Sequence, residues 1–175
     1  MLPIENVVAV VTGSNRGLGR ALVVDLLSRG AKKVYAASRG GRLDPSLAED
    51  PRVVPIQLDI TDPAQLRAAA EVASDLNVLI NNAGLFVSHS VLGTDPAEIH
   101  RDMDTNFFGV LAATRGFLPA LTRNAPATVV NVLSVVSLAA MPALGGYSAS
   151  KAAAWSLTQA LRSELAAHHV GVLAV

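Results

Sequence analysis

The chain contains no cysteine, which excludes disulfides and thiolate metal sites and agrees with a reducing cytosol. It also lacks net charge, with 14 basic residues against 14 acidic ones, so no overall field draws it to nucleic acid or to an anionic membrane. No apolar run reaches the roughly 18 residues of a membrane span. Ahead of the first short apolar run stands Glu5 and no basic residue, which argues against a signal peptide. Aromatic residues make up only 4%, two of them tyrosines. What is abundant is aliphatic: 51% of the 175 residues are hydrophobic and the mean hydropathy is +0.40. A sheet buried on both faces has such a composition. The expectation is one soluble, cytoplasmic domain with a sizeable core.

Strand and helix signals alternate along the whole chain. Strands are expected at Val7 to Thr12, Lys33 to Ser38, Val53 to Leu58, Val78 to Ile80, Val129 to Leu133 and Val170 to Val175. A helix from about Leu18 to Ser28 is stopped by Gly30, and Asp62-Pro63 caps one running to about Ala73. Asp95-Pro96 opens a long helical region ending near Arg123, its last turn disturbed by Pro119, and Ser148 to about His168 forms the final helix. Between Gly40 and Arg52 there is room for a loop with one helical turn around Pro45 to Glu49. Apolar strands separated by helical lengths give βαβ units. Right-handed crossovers then make an α/β, doubly wound parallel sheet of about six strands, with helices on both faces.

Four short stretches carry chemistry. The first, Thr12-Gly13-Ser14-Asn15-Arg16-Gly17-Leu18-Gly19, links the first strand to the first helix. Its glycines permit a tight turn and bring backbone amides up to a phosphate at a helix N-terminus; a ligand-free strand–helix connection is the plain alternative. The second, Asn81-Asn82-Ala83-Gly84, ends the fourth strand, where ligands lie in open α/β sheets, although an Asn-Gly-type turn reads equally well. The third places Ser134 at the carboxyl end of the fifth strand, thirteen residues before Tyr147. The fourth is "GYSASK", where Tyr147 and Lys151 share a helix face one turn apart. Asn106 adds a polar residue, or an irregularity, to the middle of the long helical region.

In order and spacing, "TGSNRGLG", "NNAG", Asn106, Ser134 and "YSASK" resemble the short-chain dehydrogenases/reductases over Val7 to Val175. The resemblance implies a Rossmann-type fold, a nicotinamide cofactor and hydride exchange with a carbonyl or alcohol substrate. It implies Tyr147 as general acid or base and Lys151 as the cation that stabilises the tyrosinate, lowering a phenol pKa of about 10, and that hydrogen-bonds the nicotinamide ribose. Ser134 would hold the substrate oxygen, and Asn106 a water that passes protons to the lysine. Gly13, Ser14, Asn15, Arg16, Gly17, Leu18 and Gly19 would cradle the cofactor phosphates. Asp59 and Ile60 would meet the adenine, with a strand-end turn or helix cap as the alternative for Asp59. Asn82, Ala83 and Gly84 would flank the adenosine ribose.

Ser38 stands where an NAD-preferring member carries an acid, and the next residue, Arg39, offers a 2′-phosphate a planar fork of donors. With Arg16 close by, NADP(H) is favoured over NAD(H). No metal site is expected. His168 and His169 are adjacent and point apart on a helix end, and His89 and His100 lack partners at ligand spacing. Ala-, Gly- and Leu-rich stretches from Asn106 to Leu121 and Ser148 to Ala167 suggest a homodimer or homotetramer. Family members continue past a sixth strand into a turn over the nicotinamide and a substrate-covering segment. Against that pattern the domain, residues 1–175, reads as truncated, with an apolar edge strand expected to lower its stability and activity. Two readings stand: an NADP(H)-dependent reductase or dehydrogenase, and a non-catalytic relative that binds nucleotide or a partner protein.

Overall fold

Six β-branched, apolar segments pair side by side in the computed structural model, which describes residues 3–87 and 90–175. They are β1 (Val8–Thr12), β2 (Lys33–Ser38), β3 (Val53–Gln57), β4 (Val78–Asn81), β5 (Ala127–Asn131) and β6 (Val170–Ala174). The sheet is parallel throughout, in the order β3-β2-β1-β4-β5-β6. The chain therefore runs outward from β1 to β3 and returns to start the second half at β4. That reversal opens a crevice at the carboxyl ends of β1 and β4, where doubly wound sheets bind ligands. The fold is the Rossmann-type α/β arrangement.

Six helices connect the strands: α1 (Gly17–Ser28), the single turn α2 (Pro45–Ala48), α3 (Pro63–Val72), α4 (Pro96–Met103), α5 (Val110–Arg123) and α6 (Gly145–Ala166). Alternate strand residues point to opposite faces and make two cores. Ala9, Val11, Val34 and Ile80 meet Val23 and Leu27 of α1 on one face. Val10, Leu79 and Val129 meet Phe117 and Leu121 of α5, with Leu161 and Leu165 of α6, on the other. Phe117 and Leu121 are wholly buried, and truncating either to alanine would cost about 2–5 kcal/mol. The second core holds α5 and α6, and with them the polar residues of the site, against β4 and β5.

Helix starts follow local chemistry. Asp44, Asp62 and Asp95 each accept backbone N–H bonds at an N-cap followed by proline. Between α4 and α5 the helical path widens into a π-type segment, Asp104–Gly109, that carries Asn106. Pro119 does not disturb the last turn as expected: α5 runs on to Arg123. The proline lies on the exposed side, where a helix bends most readily.

Two boundaries differ from expectation in ways that matter. The fifth strand is Ala127–Asn131, two residues earlier than its apolar run suggested, because β4 ends its register at the Asn81–Asn131 pair. Ser134 therefore lies three residues beyond the strand, capping a 3₁₀ turn at Val135–Ser137. The last helix starts at Gly145, not Ser148. A side chain at Gly145 would overlap Val91, so the glycines that resemble a loop are instead a close helix contact. The same helix stops at Ala166, leaving His168 and His169 in the turn to β6. His89, weighed above, lies outside the described residues. No described helix is long and apolar enough to cross a membrane.

Candidate active site

The cleft begins with the turn after β1. Gly13 and Gly17 adopt φ of 69° and 55°, a region closed to most side chains. A Cβ on Gly13 would come within 2.9 Å of Ala83 Cα, and one on Gly19 would overlap the Gly13 carbonyl oxygen. Backbone thus approaches backbone where β1 meets β4. Around Gly17 the space is open, with no atom within 4 Å of an added Cβ.

Side chains lock this turn. Thr12 Oγ1 donates to Ile80 O at 3.3 Å and accepts from Asn82 N at 3.0 Å and Ala83 N at 2.9 Å. The Asn82 amide donates to Thr12 O at 2.8 Å and Gly13 O at 3.2 Å. Both Ser14 N and Ser14 Oγ donate to Ala37 O, at 3.0 Å and 3.1 Å. Asn82 and Ser14, two residues the sequence assigns to ligand contact, spend their side chains on the frame of the cleft.

An open cavity of about 1460 Å³ follows, lined among others by Asn15, Arg16, Leu18, Arg39, Asp59, Ala83 and Gly84. Arg16 and Arg39 are exposed on its rim. Ser38 is buried and donates to Arg42 O, so its hydroxyl turns away from the cavity. Arg20 is occupied by Asp44 at 3.1 Å and Ser46 at 3.2 Å. Asp59 Oδ1 accepts from Thr61 N and Thr61 Oγ1, closing the turn after β3 from the cavity edge. Ile60 also borders the cavity, but its side chain is buried and fits where a Cβ on Gly109 would collide. Tight glycines, open amides at a helix N-terminus and two rim arginines fit an elongated dinucleotide bearing phosphates.

Beyond Gly84 lies the second half of the site. A Cβ on Gly84 would stand 3.2 Å from Asn106 Oδ1 and 3.7 Å from Lys151 Nζ. Asn106 is completely buried; its Oδ1 accepts from Leu85 N at 2.8 Å and its Nδ2 donates to Leu85 O and Ser150 Oγ. Ser150 Oγ in turn donates to Tyr147 O at 2.8 Å. Lys151 is only 6% exposed. Its ammonium donates to Val132 O at 3.0 Å and lies 5.9 Å from the Tyr147 ring centroid.

These surroundings set the proton affinities. Burial pushes the Tyr147 phenol above its ordinary value; a hydrogen bond with Ser134 opposes that, and the Asp102 carboxylate adds to it. Burial pushes the Lys151 ammonium down. The expected lowering of the phenol by the lysine is therefore not the balance found here. The ammonium is directed at the carbonyl of half-buried Val132, and desolvation is the largest cause for both groups. Ser134 plays two parts, capping the 3₁₀ turn and bonding the phenol.

Sequence reasoning gave no role to Thr12, Asp102 or Ser150. Thr12 stood inside the quoted glycine motif. Asp102 lies four residues before Asn106, hence on the same helix face, a spacing that was legible. Nothing in the sequence marks it as buried.

A family model described as short chain dehydrogenase matches residues 7–175. The chain belongs to the short chain dehydrogenase family. Among curated relatives of this family, it is 32% identical to short chain dehydrogenase pigC of Monascus ruber, covering 94% of this chain and 59% of that protein. Among solved structures, a short chain dehydrogenase from Burkholderia cenocepacia J2315 in complex with NADP is 45% identical, with a TM-score of 0.93, over 99% of this chain and 72% of that one. A short chain dehydrogenase/reductase from Burkholderia phymatum in complex with NAD is 30% identical, with a TM-score of 0.91, over 99% of this chain and 66% of that one. The chain thus spans about six tenths of the length of the first curated relatives it matches, 59% and 57%.

Proposed function

We propose that residues 1–175 form a single NAD(P)-binding unit of an oxidoreductase that interconverts a carbonyl and an alcohol, with NADP(H) preferred over NAD(H). The observation that carries this reading is the buried Lys151 ammonium, 5.9 Å from the Tyr147 ring centroid and beside Gly84, which lines the open cavity shared with the glycine turn. A buried lysine at an ordinary helix surface would be a net cost, whereas here it adjoins the group that must exchange a proton.

When bound, the nicotinamide supplies or receives the hydride. The chain's own residues handle the proton. Tyr147 Oη gives it to the carbonyl oxygen during reduction and takes it back from the alcohol during oxidation, while Ser134 bonds the phenol and holds the substrate oxygen. Lys151 places a positive charge beside the phenolate that this leaves, which favours the charged form once substrate has excluded water. Asn106 fixes the Leu85 backbone and, through Ser150, the first turn of α6, so that Tyr147 and Lys151 stay in register with Gly84.

Arg39 and Arg16 on the cavity rim support NADP(H), since an arginine fork suits a 2′-phosphate and no acid competes at Ser38. The decisive experiment is Tyr147→Phe, tested by NADPH titration and by turnover of aldehydes and ketones. The reading expects nucleotide affinity within about twofold of wild type and turnover lower by at least about a thousandfold, in the range that loss of proton transfer gives. Nucleotide binding without turnover in the unaltered protein would instead support the non-catalytic reading.

A further inference from the structure

After Gly84 the chain continues as a short strap, Leu85–Val87, which Asn106 and Asp102 hold at alternate residues. Asn106 binds Leu85 through both backbone groups, at 2.8 Å and 2.7 Å. Four residues earlier, Asp102 Oδ1 accepts from Val87 N at 3.1 Å. Leu85 and Val87 are thus tied to the helix, and Phe86 is turned toward α6. Its ring lies 5.1 Å from the Tyr147 ring, inclined at 60°.

The cost of this arrangement points to its purpose. Asp102 is 0% exposed, and removing a carboxylate from water is expensive unless a specific partner demands it. An apolar side chain would fill the same space without that penalty. It could not, however, accept the Val87 amide. Phe86 keeps 47% of its surface exposed, and Val135 and Leu138, just beyond Ser134, are more exposed still. Phe86 is therefore an apolar surface beside the phenol that solvent, or a substrate, can reach.

We propose that Asp102 is a positioning residue which, together with Asn106, sets Phe86 against Tyr147, and that Phe86 thereby forms the wall that selects substrates with an aryl or branched alkyl group beside the reacting carbonyl. The substrate part rests on the carbonyl–alcohol chemistry proposed above. The strap part does not.

The test separates the two. In the substrate-free protein, hydrogen exchange at the Val87 amide should quicken by about tenfold or more in Asp102→Ala, because a bond to a charged acceptor is lost. Asp102→Asn retains an acceptor oxygen and should stay within about threefold of wild type. Unchanged exchange in Asp102→Ala overturns the strap. In steady-state reduction, Phe86→Ala should raise KM for acetophenone by about tenfold, leaving kcat and the KM for hydroxyacetone within about threefold. Asp102→Ala should move the same KM ratio in the same direction, and should add nothing in the Phe86→Ala background. An equal loss for both ketones, or a full further loss in the double variant, overturns the proposed wall. If Asp102→Ala does not fold, Phe86→Ala at its half-exposed position carries the ketone comparison, and Asp102→Leu, which fills the space but cannot accept the Val87 amide, carries the exchange with the same two outcomes. Failure of the unaltered protein to reduce either ketone overturns the carbonyl chemistry and the wall together, while the exchange measurements still decide the strap.

Discussion

Thr12→Val tests whether the cleft is held open by one hydroxyl. Thr12 is 1% exposed at the carboxyl end of β1. Its oxygen accepts from Asn82 N at 3.0 Å and Ala83 N at 2.9 Å, and donates to Ile80 O at 3.3 Å. Valine has nearly the same shape, so packing is preserved and the polar loss is isolated. Asn82 N keeps a second acceptor, Ile80 O at 3.1 Å, so the cost falls chiefly on Ala83 N. An unsatisfied donor of this kind costs about 1–3 kcal/mol. At the middle of that range, about 2 kcal/mol, a chain of this length should melt roughly 4–8 °C lower. Thr12→Ser retains the oxygen and loses one buried methyl, worth about 0.8 kcal/mol, so its melting point should fall between wild type and Thr12→Val. Because the same hydroxyl joins β1 to the start of the Ala83–Gly84 edge, NADPH affinity should drop in the valine variant and be largely restored in the serine variant. Thermal melting by circular dichroism and a fluorescence titration with NADPH decide the matter. A valine variant that melts within about 1 °C of wild type, or above the serine variant, refutes the reasoning.

Arg39→Ala should weaken NADPH binding by about ten- to a hundredfold, the worth of a charge-assisted contact, and leave NADH almost unchanged; equal losses would assign Arg39 to the shared part of the dinucleotide. Burial lowers the Lys151 pKa from its ordinary 10.5, so in the window between the two values the unfolded chain binds the extra proton and stability rises with pH. Lys151→Met should flatten that rise, which urea midpoints followed from pH 7 up to pH 10.5 would show; parallel wild-type and variant curves would contradict it. A groove lined by Leu111, Leu118, Leu161 and Leu165 separates α5 and α6, and light scattering should report a dimer or tetramer that Leu118→Arg converts to monomer. A wild-type monomer at micromolar concentration would reject that surface as an interface.

How much of this was legible in the sequence depended on whether the signal was local. The second strand, Lys33–Ser38, is found with both ends as expected, because the apolar run Val34–Ala37 lies between Lys32-Lys33 and Ser38-Arg39-Gly40. The Asp-Pro pairs at 62–63 and 95–96 fixed two helix starts, since an acceptor side chain and a preset φ act within one turn. Boundaries set by a distant partner were displaced. The fifth strand's apolar run continues through Val132 and Leu133, but β4 supplies no further register partner after Asn81. Gly145 looks like a loop residue until Val91 is seen to occupy the space of its missing side chain.

The candidate site divides along the same line. Sequence order and spacing grouped Tyr147, Lys151, Ser134, Asn106 and the glycine turn; in the structure Asn106 and Lys151 lie beside Gly84, which lines the cavity with the glycine turn, and Tyr147 lies near Lys151 and Ser134. Which atoms each side chain would bind was not readable, because many partners are backbone carbonyls, and these have no residue-type signature. Val132 O takes the Lys151 ammonium, Ala37 O takes Ser14, and Thr12 O with Gly13 O take Asn82. The consequence reaches the chemistry. A tyrosine and lysine one helical turn apart suggest an ion-paired phenolate, yet with the ammonium directed at a carbonyl the phenol is governed by its own desolvation, opposed by the Ser134 hydrogen bond and reinforced by Asp102. Beyond the Ser134 hydrogen bond, a further lowering of the Tyr147 pKa would need the lysine to move from Val132 O toward the phenol oxygen when the cleft is occupied. A spectrophotometric titration of the tyrosines that gives the same Tyr147 pKa with and without saturating NADP would show that the cleft's occupant does not retune this pair.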